Sequence, residues 1–143
     1  MEPLQRLTRK QLDTLRHVGL MATSERGVPL KRLAKVLRVR PPTALGHLAA
    51  LESLALVTRE RGKTRLSRYG AACLREYVRH HRVAETLFAD AGLSPEDSCS
   101  AAREVDLAIS HRTVESLCQA ESHPKVCPHG EPIAPCRSPQ GGD

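Results

Sequence analysis

Aromatic residues are nearly missing: the 143 residues include no Trp, two Tyr and one Phe. A core must therefore be built from Leu, Val and Ala. Such a core favours small helical units over strand-rich domains, which draw on β-branched and aromatic side chains. Long apolar runs are absent too, and nothing approaches the roughly 18 residues needed to cross a bilayer. The start, Met1-Glu2-Pro3, lacks the basic segment and apolar stretch of a secretory leader. A cytoplasmic protein with no membrane partner is the expectation. There is also no Gly-rich phosphate loop, and no nucleophile stands with an evident base and orienting partner, which argues against an enzyme.

Charge is plentiful, but it is segregated. Residues 1–82 carry 18 Lys/Arg against 6 Asp/Glu, a formal +12, whereas residues 83–143 carry 4 against 10, a formal −6. Only the first part is suited to a polyanion.

Apolar spacing and capping residues divide the chain. Thr8-Arg9-Lys10-Gln11 has the form of a capping box, and Leu12, Leu15, Val18 and Met21 follow at helical spacing, predicting a helix over 8–22. Ser24-Glu25-Arg26-Gly27 breaks it. Pro29 suits a first helical turn, and Leu30, Leu33, Ala34 and Leu37 predict a short helix over 29–37. After a turn at Arg38-Val39-Arg40, a third helix starts near Pro41-Pro42-Thr43, with Leu45, Leu48, Ala49 and Leu51 inward. Leu56-Val57-Thr58 reads as a strand, Arg59 to Thr64 as a charged turn, and Arg65-Leu66-Ser67 as a return strand. Longer helices follow, from Ser67 or Arg68 to Ala89, from Pro95 to Ala108 with Ser94 as N-cap, and from Ser110 to Gln119. Beyond Glu121 periodicity ends, and five of the ten prolines lie there. The expected fold is mainly α. A winged helix-turn-helix over 1–68 precedes a helical dimerisation and metal-sensing domain over 69–120 and an irregular Cys/Pro-rich tail over 121–143.

Three short helices and a hairpin with a basic tip form the winged helix-turn-helix pattern. Arg59, Arg61, Lys63 and Arg65 are placed for backbone phosphates, as are Arg38 and Arg40 before the third helix. Thr43 and His47, one turn apart, are candidates for base edges. Ala44, Leu45 and Gly46 offer little hydrogen bonding, so DNA shape would carry part of any specificity.

The stretch from Tyr77 to Pro135 supplies more specific text: His80-His81-Arg82-Val83-Ala84-Glu85, then Gly92-Leu93, Ala108-Ile109-Ser110, and His123-Pro124-Lys125-Val126-Cys127-Pro128-His129-Gly130-Glu131-Pro132-Ile133. It resembles the diphtheria-toxin-repressor family of iron- and manganese-dependent regulators, in a short form without the additional C-terminal domain. The N-terminal winged helix fits the same family. The resemblance implies a homodimer formed through the helices after the wing. It also implies His81 and Glu85 as a metal-ligand pair, with Cys99 where the family commonly has His. At the family's second ligand cluster this chain has Arg103, Asp106 and Leu107, and an Arg there would repel a dication. Lys10 or Gln11 stands near the position of another family ligand.

The cysteines suggest a further centre. In an antiparallel hairpin of helices turning near Ile109, Cys99 and Cys118 would sit at similar height, and the tail would bring Cys127 and Cys136 to the same end. Soft thiolates select Zn²⁺, iron or an iron–sulfur cluster over Mn²⁺. Cys73 reads as a core residue. The leading expectation is a metal-responsive, iron-preferring transcriptional regulator that binds double-stranded DNA as a homodimer. Its metal would be drawn from His81, Glu85, Cys99, Cys118, Cys127 and Cys136. A thiol redox sensor and a winged-helix adaptor that does not bind DNA are the alternatives.

Overall fold

The computed structural model describes residues 2–23 and 26–136. Ser24 and Glu25, half of the expected helix break, lie outside the described residues, as do residues 137–143 of the tail. The chain divides into two compact units, Met1–Arg75 and Glu76–Asp143.

In the first unit, α1 (Glu2–Gln5) precedes α2 (Arg9–Met21). The capping box forms as its residues predict: Thr8 Oγ1 accepts from the Gln11 N–H at 3.2 Å, and Gln11 Oε1 from the Thr8 N–H at 3.0 Å. α3 (Leu30–Leu37) and α4 (Pro41–Ser53) complete a three-helix core. Leu12, Leu15, Val18, Leu33, Leu48 and Leu51 are all fully buried there. Each such side chain contributes on the order of 2 kcal/mol of apolar burial, enough for a unit that lacks aromatic anchors. Between α3 and α4, Arg38 adopts the left-handed conformation (φ 56), and the N–H groups of Arg38 and Val39 close onto Lys35 O and Ala34 O. That αL cap aims the chain into the next helix without a glycine.

A three-stranded antiparallel sheet in the order β1-β3-β2 forms the wing, from β1 (Val28–Pro29), β2 (Val57–Glu60) and β3 (Lys63–Leu66). Pro29 therefore ends an edge strand and caps α3, one position before the helix that its ring was expected to open. An edge strand tolerates the missing N–H. The hairpin is also tighter than expected. Glu60 pairs with Lys63, which leaves only Arg61 and Gly62 in the turn, with φ 51 and 74. Two consecutive positive φ values define a type I′ turn, whose twist matches that of the flanking strands. The strands run through the charged residues because the wing is solvated and needs no apolar alternation to pair.

α5 (Arg68–Asp90) begins in the first unit and ends in the second. Near its start Gly70 lies against the Leu56 carbonyl, and a Cβ there would stand 1.8 Å from that oxygen. The second unit continues with α6 (Pro95–Val105) and α7 (His111–Ala120). Ser94 and Ser110 cap them, accepting from the N–H groups of Asp97 and Thr113 at 3.1 and 3.2 Å. Val83, Val114, Cys118, Cys127 and Ile133 form a core in which the tail takes part. Irregular as expected, the tail is nevertheless tied: Ile133 N–H donates to Lys125 O, Cys127 N–H to Glu131 O, and Gly130 N–H to Cys127 O, all at 2.8 Å. The fold is thus a winged helix-turn-helix followed by a helical domain with an irregular Cys/Pro-rich tail.

Candidate metal centre and nucleic-acid interface

On the first unit, Arg38, Arg40 and Thr43 are exposed around the start of α4, and Arg61 and Lys63 at the wing tip. Arg59 and Arg65 are half-buried and lean on acids, Arg59 on Glu52 at 4.0 Å and Arg65 on Glu60 at 3.8 Å. A cleft of about 200 Å³ at the wing is lined by Arg26, Arg61, Lys63 and Arg65 with Thr58 and Glu60. Arg26 thus joins the basic set, brought in by the short strand β1 that sequence periodicity does not reveal. His47 is engaged within the unit through one ring nitrogen. Its Nδ1 lies 3.1 Å from the Oγ1 of buried Thr14, so one polar edge of the ring is committed to α2. Only Nε2 is left for any contact outside the unit.

The second unit gathers His81, Glu85 and Cys99 so that one donor atom of each lies within 4.8 Å of the others. His81 and Glu85 share one face of α5, four residues apart, with His81 Nε2 2.6 Å from Glu85 Oε1. Cys99 reaches the same nitrogen from α6 at 3.5 Å. The opposite ring nitrogen, Nδ1, lies 2.9 Å from Asp106 Oδ2, which also accepts from Tyr77 Oη at 2.6 Å. A carboxylate on Nδ1 fixes the ring's orientation and the tautomer that directs Nε2 at the other donors, as metal-ligating histidines require. Asp106, which family patterning places at a lost ligand position, is therefore the acceptor that orients His81. Glu85 is buried, and its second oxygen lies 3.1 Å from His129 Nδ1. Cys127, Glu85 and His129 form an overlapping group. The Cys127-Pro128-His129-Gly130 turn explains its own sequence: Cys127 is buried, Gly130 has φ 81, and His129 points back at α5. His129 is the donor that helical spacing could not reveal, because a turn outside any helix carries it.

The thiols do not converge on one point. Cys99 stands with His81, whereas Cys118 pairs with Cys136 at 3.0 Å between sulfurs, and with His123 Nδ1 at 3.6 Å. Equal height on two helices fixes axial position, but each residue turns the side chain about 100° around the axis, and that azimuth separates Cys99 from Cys118. Burial, and hydrogen bonds that the thiol donates to Cys118 and Glu115, push the Cys136 thiol up to about 12, against the pull of the Arg79 guanidinium, which donates to its sulfur at 2.8 Å. Cys73 is buried, as expected of a core residue.

Residues 67–135 match the family model of the iron dependent repressor, metal binding and dimerisation domain. This segment, just under half of the chain, is thus similar to the metal-binding and dimerisation domain of iron-dependent repressors. Solved structures agree on the architecture. A hypothetical protein from Sulfolobus solfataricus superposes with a TM-score of 0.83 at 24% identity, covering 90% of this chain and 99% of that one. IdeR of T. acidophilum gives 0.65 at 23% identity, over 96% of this chain and 62% of that one. A manganese-dependent transcriptional repressor in complex with manganese gives 0.69 at 26% identity, over 90 and 63%. The chain thus spans less than two thirds of the length of these two proteins. A comparison with curated proteins gives no match. The repressor-family segment begins at the end of the wing, so it contains the His81 cluster, Asp106 and the Cys127–Gly130 turn together. The family is one of regulators, not enzymes, and among the described residues no helix is long and apolar enough to cross a membrane.

Proposed function

We propose that this protein is a metal-responsive transcriptional repressor that binds double-stranded DNA as a homodimer, with its activating metal held by His81, Glu85 and Cys99. The observation that carries this reading is the orientation of His81, braced on one nitrogen by Asp106 and facing a carboxylate and a thiol with the other. Imidazole, carboxylate and thiol fit a divalent transition metal. The thiol moves the preference from Mn²⁺ towards Fe²⁺ or Zn²⁺, and iron is our choice of effector. A bound dication supplies the positive charge that buried Glu85 and Asp106 call for, and links α5 to α6. An iron–sulfur cluster would need several thiolates at one point, so a mononuclear centre is favoured. His129, already on Glu85, is the residue best placed to complete the donor set.

The exposed cations around α4 and the wing tip are suited to phosphates, and two copies paired through the second unit would present two such faces to successive grooves. Binding of the metal-loaded protein to duplex DNA should weaken with salt. Replacing Arg61 and Lys63 together by alanine should flatten the plot of log affinity against log salt by about 0.9 for each phosphate no longer neutralised. Fluorescence anisotropy across a salt series measures this slope. An unchanged slope would leave the winged-helix adaptor as the better reading.

Thiol sensing has one observation in its favour, the 3.0 Å approach of Cys118 and Cys136. A peroxide would oxidise the pair to a disulfide, taking two electrons and two protons as it is reduced. Against this, a thiol held near 12 is rarely ionised at neutral pH, and the thiolate is the nucleophile. Intact-protein mass after peroxide treatment should accordingly show no rapid loss of two hydrogens.

A further inference from the structure

We propose that Glu76, His80 and His111 form a second divalent-cation site in this protein, of the Zn²⁺ class, built from residues other than those of the His81 centre. Glu76 and His80 occupy one face of α5 at i and i+4, and His111 is the first residue of α7. Three donor atoms form a nearly regular triangle: His80 Nε2 to His111 Nδ1 is 3.4 Å, His80 Nε2 to Glu76 Oε2 is 3.7 Å, and His111 Nδ1 to Glu76 Oε2 is 3.7 Å. These edges are too long for strong hydrogen bonds. The shortest falls within the roughly 3.3–3.6 Å between donors of a tetrahedral ion with bonds of about 2.0–2.2 Å, and the two 3.7 Å edges lie just above it.

Ring geometry agrees with convergence on a common point. The imidazole centroids are 5.6 Å apart while the facing nitrogens are 3.4 Å apart, so the rings meet through their nitrogens. Glu76 Oε2 is buried and accepts no hydrogen bond among the described residues. A buried carboxylate oxygen without a donor is costly, and a cation is a group that would satisfy it. On the far side of the His111 ring, Glu115 Oε1 lies 3.6 Å from Nε2, which is where an outer carboxylate orients a ligating histidine. Charge also permits a cation. Arg79 NH1 is 3.9 Å from Glu76 Oε2 but only 2.7 Å from Glu115 Oε1, so one guanidinium is shared by two carboxylates and leaves net negative charge there. His80 is buried against α7, so its ring is held in place by packing. Successive residues on a helix diverge by about 100°, so His80 and the adjacent His81 face different neighbours, α7 for one and α6 for the other. Two imidazoles and one carboxylate leave a fourth position, and the half-exposed His111 gives it access to solvent.

Zn²⁺ titration of the chelator-treated full chain by calorimetry, with circular dichroism to confirm folding, tests the site. His111→Ala should remove one equivalent or weaken it at least tenfold, and Glu76→Gln, which keeps the side-chain volume, should do the same. His81→Ala should remove a different equivalent and leave this one at wild-type affinity. A His111→Ala isotherm that superimposes on the wild type would overturn the proposal. So would loss of one and the same equivalent in His111→Ala and His81→Ala. Loss in His111→Ala alone, with His81→Ala unchanged, would uphold this site and remove the His81 centre instead.

Discussion

Gly70→Ala should destabilise the first unit by about 3 kcal/mol or more, at the upper end of the overpacking range. The added methyl would stand 1.8 Å from the Leu56 carbonyl oxygen and 2.7 Å from its carbon. Neither neighbour can rotate away, because both are backbone. The same carbonyl accepts the Ser67 N–H at 3.0 Å, so moving it also strains the junction between the sheet and α5. A loss of this size is a large part of the roughly 5–15 kcal/mol that holds a typical domain together. Gly46→Ala is the matched control, since a Cβ there meets nothing within 4 Å and replaces an exposed helical glycine. It should be neutral or stabilising by up to about 1 kcal/mol. Chemical denaturation of the two variants side by side separates a steric cause from any general effect of adding a methyl group. Equal stability of Gly70→Ala and the wild type would show that α5 does not approach the Leu56 backbone this closely.

The second large effect concerns the metal. His81→Ala should weaken Fe²⁺ or Zn²⁺ binding at this centre more than about 100-fold, because it removes the donor around which Glu85 and Cys99 are arranged. Asp106→Asn isolates the orienting role. The amide oxygen can still accept from His81 Nδ1, but without the charge, and outer carboxylates of this kind contribute about 10–100-fold in affinity. Tyr77→Phe removes the other hydrogen bond to Asp106 and leaves His81 untouched, so a purely structural role for Asp106 would make it behave like Asp106→Asn. Our reading has Tyr77→Phe bind metal within a few-fold of wild type. Anaerobic competition against a chromophoric chelator reads all three. Wild-type affinity in Asp106→Asn would mean that His81 is positioned by something else.

Elements set by local rules are legible in the sequence. Thr8 with Gln11, Ser94 and Ser110 each mark a helix start that forms as they predict, because a cap is decided within four residues. β1 is not legible, since two residues have no period, and Pro29 satisfies the rules for a helix start as well as those for an edge strand. The wing turn is tighter than its sequence suggests for a related reason. Charge masks the alternation of a solvated strand, and only the Arg61-Gly62 backbone fixes the register. At the centre, His81 and Glu85 are legible as an i, i+4 pair, and Cys99 through family resemblance. Asp106 and His129 are not, because their roles depend on how separate segments meet α5. His47 stands at a suitable position in the third helix, but the buried Thr14 hydroxyl competes for its ring.

DNA binding as a function of metal tests the central claim most directly. Duplexes would be selected from a random library with Fe²⁺-loaded protein under anaerobic conditions. The affinity for the selected sequence would then be measured with metal, after chelation, and for His81→Ala. The account predicts a two-fold symmetric sequence, at least tenfold weaker binding after chelation, and a His81→Ala protein that no longer responds to metal. Affinity that is the same with and without metal, or a full response in His81→Ala, would contradict it.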